Sequence, residues 1–96
     1  MTDNSRVLVG SLSNDLLRVA TLVQRGSTIA AERFFVEAKR WAAQLQNSDE
    51  ATYIKNIASE IYGETEQQIS LETAEKYLMY SVLLQNYALH HNERFD

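Results

Sequence analysis

Ninety-six residues that hold no proline and only three glycines leave few places for a chain to reverse direction. Tight turns draw on proline for a preset φ and on glycine for a positive one. Sandwiches and barrels need such turns at short, regular intervals, so this chain is restricted to a few long elements joined by short loops. Its length allows a single domain, residues 1–96, because two independent cores would not fit. A chain of this size hides roughly 60–65% of the surface its unfolded form exposes. The stability margin is narrow, and association with a second chain would widen it.

Apolar spacing assigns the elements to helices. Val9, Leu12, Leu16, Val19 and Val23 recur at steps of three and four, one face of a helix over about 4–25. Gly10 and the Ser11, Ser13, Asn14 cluster weaken its first turns, so an alternative start lies at Ser13 as N-cap with Asp15 in the first turn. Gly26 ends this helix. A second helix, 28–46, has the inner face Ala31, Phe34, Phe35, Ala38, Trp41, Ala42 and Leu45. Asn47 and Glu50 have the spacing of a capping box for a third helix, 49–62, whose apolar face is Ile54, Ile57, Ala58 and Ile61. Gly63 suits a left-handed C-terminal residue, and Ser70 suits the cap of a fourth helix, 71–91. The fold class expected is all-α, a small antiparallel bundle of four helices. The runner-up is a three-helix core with a loosely attached N-terminal segment.

The fourth helix does not balance. Ten of the thirteen residues from Tyr77 to Leu89 are apolar or aromatic, whereas a surface helix needs only a stripe about 100° wide for its core. A core stripe of Leu71, Ala74, Leu78, Val82 and Leu89, with Ala88 at its edge, leaves a second patch. Tyr80, Leu83 and Tyr87, flanked by Met79 and Leu84, are the expected interface. Aromatic residues and methionine are enriched in interface cores, and a two-fold homodimer is the default closed form. The competing expectation is that the first two helices wrap the fourth, with the tyrosine hydroxyls reaching solvent.

Known chemistries find little to use. With no cysteine there is no disulfide, thiol nucleophile or Cys-ligated zinc, in keeping with a cytoplasmic setting. No signal peptide is read in the N-terminal residues, and no apolar run reaches the ~18–20 residues of a membrane span. His90 and His91 have no glutamate three residues before them, so the Glu-x-x-His pattern of di-iron bundles is missing. No Gly-x-Ser-x-Gly turn or glycine-rich phosphate loop occurs. No cofactor, metal or small-molecule substrate is expected, and no catalytic residue stands out.

Charge is uneven. Residues 1–46 carry a net of +2 and residues 47–96 a net of −6. Arg18, Arg25, Arg33, Lys39 and Arg40 form a candidate basic surface on the first two helices, whose tight connection superficially resembles a helix-turn-helix. Against nucleic-acid binding stand the acidic total of −4 and the core character of Phe34, Phe35 and Trp41. The leading expectation is therefore a non-enzymatic protein-interaction module that binds another protein or, as a homodimer, its own copy through the C-terminal helix. A nucleic-acid-associated regulator is the alternative, and a helical enzyme subunit completed by another chain is the third.

Overall fold

The computed structural model describes residues 3–90 and contains four helices: α1 (Asp3–Gln24), α2 (Thr28–Leu45), α3 (Thr52–Gly63) and α4 (Leu71–His90). The protein is all-α, a small four-helix bundle; among the described residues there is no strand. The expected last residue of the fourth helix, His91, lies outside the described residues. No described helix is long and apolar enough to cross a membrane. Helix α1 is the centre of the bundle, packed along α2 on one side and α4 on the other, while α3 packs on α2.

Three helices bury the faces their spacing predicts. On α1, Val9, Leu12, Leu16 and Val19 are fully buried, joined by Leu8, Ala20 and Val23. The N-terminal turns are thus part of the core, and neither a start at Ser13 nor a loosely attached segment describes them. Ser13 and Asp15 are not cap residues; they are polar side chains buried in mid-helix. On α2, Ala31, Phe35, Ala38, Ala42 and Leu45 are buried, with Phe34 and Trp41 packed at the edge. On α3, Ile54, Ile57, Ala58 and Ile61 are buried.

The connections differ more. Gly26 has φ 81°. Its N–H bonds the Val23 carbonyl and the Ser27 N–H bonds the Leu22 carbonyl, at 3.0 and 2.8 Å, which is the double bond of a Schellman motif. The Asn47–Glu50 capping box does not form. Helix α3 starts three residues later than expected, after Ala51, with no side-chain cap. Ser48 bonds the Leu45 carbonyl instead, and the Glu50 carboxylate accepts the Tyr87 hydroxyl. Gly63 ends α3 without a positive φ; the left-handed residue of the 64–70 connection is Gln68, at φ 56°. Ser70 does cap α4, its Oγ accepting the Thr73 N–H at 3.0 Å.

Helix α4 is rotated from the expected orientation. Its buried residues are Ala74, Tyr77, Ser81, Leu84 and Tyr87. Of the expected core stripe only Ala74 is buried; Leu71, Leu78, Val82 and Leu89 are exposed. Two neighbours select this rotation. Toward α1 runs a line of small residues seven apart, Ala74, Ser81 and Ala88, and small side chains let two helix axes come close. Ser13 Oγ donates to the Ser81 carbonyl at 2.8 Å and lies 3.3 Å from the Ser81 hydroxyl. Toward α3, three tyrosine hydroxyls each reach a carboxylate: Tyr87 to Glu50, Tyr80 to Glu60, and Tyr77 to Glu64. A buried tyrosine needs such a partner, and leucines cannot supply one.

Candidate functional site

Turning the tyrosines inward turns the leucines outward. Leu71, Val82 and Leu89 are 61%, 53% and 53% exposed, and Leu78, Met79 and Leu83 are also open to solvent. Helix α1 extends this surface with Val7 and Leu17, which are exposed as well. Two shallow depressions run along the α1–α4 junction. One, of about 610 Å³, is lined by Arg6, Val7, Gly10, Asn14, Gln85, Ala88 and Leu89. The other, of about 330 Å³, is lined by Ser13, Asn14, Leu17, Leu78, Ser81, Val82, Gln85 and Asn86. Asn14 and Gln85 border both, so the depressions form one continuous groove. A β-carbon added at Gly10 would meet nothing within 4 Å; the glycine is not demanded by its own chain and leaves the groove open.

The expected interface residues divide. Met79 and Leu83 are exposed, but neither lines the α1–α4 groove. Tyr80 is half-buried, its hydroxyl 2.7 Å from Glu60 Oε1. Leu84 and Tyr87 are corrected: Leu84 is fully buried in the core and Tyr87 is buried between α4 and the start of α3. Tyr87 donates to Glu50 at 2.7 Å, accepts the Ala51 N–H at 3.3 Å, and meets the Tyr53 ring edge-on. The rotation of α4 moves them inward. What spacing alone missed is Leu78 and Val82, placed in the core by a stripe that is equally apolar on two sides.

The Arg18 guanidinium lies 5.2 Å over the Phe34 ring. Lys39 donates to the Glu64 carbonyl at 2.7 Å and stands 3.6 Å from the Glu66 carboxylate. Arg25, Arg33 and Arg40 are exposed.

Two polar clusters are candidates for chemistry. In the first, Lys76 bridges Glu60 and Glu64 at 2.6 and 2.9 Å beside the hydroxyls of Tyr77 and Tyr80. Burial raises the Tyr77 and Tyr80 pKa values, and the glutamates that accept their hydrogen bonds raise them further. Burial pushes Glu60 up, but hydrogen bonds from Lys76 and Tyr80 outweigh it and hold its carboxyl below the usual range. Burial pushes Lys76 down, and its two glutamates more than reverse this. Every group here has a hydrogen-bond or ion-pair partner, the mark of a structural network. In the second, Asp15 is pushed up from 3.8 to about 6, by burial first and by the hydrogen bond and charge of Glu37; the bond from Trp41 Nε1, at 2.9 Å, opposes the rise. A carboxyl titrating there can serve as a general acid or base, yet Asp15 lines neither depression of the α1–α4 groove. Among the described residues no three His, Cys, Asp or Glu side chains are placed to hold a metal ion.

Comparison with protein families, curated proteins and solved structures finds no match for this chain.

Proposed function

We propose that this protein is a non-enzymatic protein-interaction module working in the cytoplasm, and that it binds through the outward face of α1 and α4. The observation that carries this reading is the row Leu71, Leu78, Val82 and Leu89, exposed along the whole of α4 and continued by Val7 and Leu17 on α1. Single exposed leucines are ordinary, but an apolar row with polar residues set into it, as Glu75 and Gln85 are here, has the make-up of a binding surface. Arg6, Asn14 and Gln85 supply the polar groups that would fix register within an otherwise apolar contact.

The test is a comparison of two kinds of surface variant. Leu78→Glu and Val82→Glu abolish a complex reconstituted from purified components, whether the partner is another protein or this chain itself. Tyr62→Glu, on exposed α3, leaves it intact. If both sets of variants retain every association of the wild type, the surface is inert and the reading fails.

A further inference from the structure

We infer that the outward face of α1 and α4 seats a second copy of this chain, antiparallel to the first, about a two-fold axis at the level of Ser13 and Ser81. The inference rests on the reading of this face as an interaction surface and names its occupant. A two-fold interface must be self-complementary: if residue i meets j, then j meets i.

The outward seam of α4 meets that condition. It runs Leu71, Glu75, Leu78, Val82, Gln85, Leu89, at alternating steps of four and three, the spacing of a packed helix pair. Reversed about residue 80, the seam falls on itself. Leu71 meets Leu89, Leu78 meets Val82, and Glu75 meets Gln85, so apolar faces apolar and polar faces polar. The outward seam of α1 does the same about residue 12. Val7 meets Leu17, and Asn14 meets Gly10, where the absent side chain leaves open space.

These two centres are neighbours in the fold. Residues 13 and 81 are hydrogen-bonded to each other, which in these antiparallel helices puts the two centres within about 3 Å of one level along the bundle, close enough for one axis to serve both. Nothing in the packing of a lone chain requires the two seams to reverse about the same level.

Charge agrees with this orientation. Arg6 lines the groove at one end, and Glu72 and Glu75 are exposed near the other. At 1.5 Å per residue Arg6 stands about 10 Å to one side of the axis, and the two glutamates about 8–13 Å to the other. The rotation brings them to one level, each copy's arginine beside its partner's glutamates. The face is about 27 Å long and about two helices wide, or roughly 540 Å² per copy. Doubled, this lies near the lower edge of specific interfaces, the range of weak and reversible association.

The decisive experiment uses the absence of cysteine. Leu71→Cys and Leu89→Cys proteins are oxidised gently, separately and mixed. The mixture forms a disulfide-linked 71–89 dimer, whereas either protein alone does not, because its identical thiols lie about 27 Å apart across the axis and beyond disulfide reach. Cross-linking of either protein alone as fast as the mixture, or none in any tube, overturns the inference.

Sedimentation velocity gives the second readout. Arg6→Glu weakens the dimer about tenfold, as does the pair Glu72→Arg with Glu75→Arg, and mixing the two proteins restores a heterodimer. Failure to restore it, or a monomer at every concentration up to about 200 µM, also overturns the inference. If the chain is monomeric but Leu78→Glu still abolishes a complex with a different protein, the interaction reading survives without the second copy. If Leu78→Glu changes nothing, both fall.

Discussion

Helices α1 and α4 lie side by side, differ by only two residues in length, and dispose of their apolar surface in opposite ways. Helix α1 has one broad inner face. Leu12, Leu16 and Val19 are wholly buried, and the polar side chains it takes inward, Ser13 and Asp15, each have a named partner. Helix α4 is apolar on two sides and sends the smaller and more polar of them inward. Its inner side is two alanines, a serine, a leucine and tyrosines; its outer side is leucine, valine and methionine. The contrast teaches that a helix orients by partner satisfaction as well as by greasiness. A tyrosine hydroxyl beside Glu50, Glu60 or Glu64 fixes rotation, while leucine is satisfied by any apolar neighbour, including one from another chain.

The largest test of that contrast is truncation on each helix. Leu16→Ala on α1 and Leu84→Ala on α4 each lower unfolding free energy by about 3 kcal/mol, since both are fully buried. Leu78→Ala on the outer side of α4, where the side chain is 38% exposed, costs about 1 kcal/mol at most. Urea denaturation at low protein concentration measures all three. Equal losses at Leu78 and Leu84 would reverse the orientation of α4.

Next in size is the polar residue that α1 buries. Asp15 has its pKa raised from 3.8 to about 6. The native state therefore holds this proton where the unfolded state has released it, and the contribution of Asp15 to stability falls as pH rises from about 4 to about 6. Asp15→Asn removes that loss while keeping an acceptor for Trp41. The variant gains on the order of 1–2 kcal/mol over wild type at pH 7 and almost nothing near pH 4, read from denaturation midpoints across the range. A gap that does not vary with pH would show that Asp15 is not the titrating group.

Smaller still is the tyrosine contact that orients α4. Tyr77→Phe leaves the ring stacked on Phe35 at 5.1 Å but removes the bond to Glu64, costing about 1 kcal/mol. Tyr62→Phe, on the exposed side of α3, changes unfolding by a few tenths at most. The difference between the two isolates the hydroxyl from the ring.

Most of the bundle is legible in the sequence, because α1, α2 and α3 each have one apolar face and a helix with one such face has one way to turn. Val9 to Val23, Ala31 to Leu45 and Ile54 to Ile61 lie where their spacing puts them. Helix α4 is not legible that way. Leu71, Leu78, Val82 and Leu89 make as regular a stripe as Ala74, Tyr77, Ser81 and Leu84, and periodicity cannot choose between them. The signal that does choose is long-range: three tyrosines on one helix and glutamates at 50, 60 and 64 on and beside another. Capping residues failed for a related reason. Ser13, Asp15 and Glu50 are good cap residues by type, but each is claimed by a more distant partner, Ser81, Trp41 or Tyr87.

The hydroxyl–carboxylate contacts that tie α4 to α3 and to the residues on either side of it also set a hierarchy in time. Helix α3 is held to α2 by four buried apolar side chains but to α4 largely by groups that water can replace one at a time. Its amides should exchange hydrogen through a local opening of α3 and the 64–70 connection, well before those of α1, which wait for global unfolding. One edge of the bundle is then a slow clasp, breathing while the α1–α4 face stays intact.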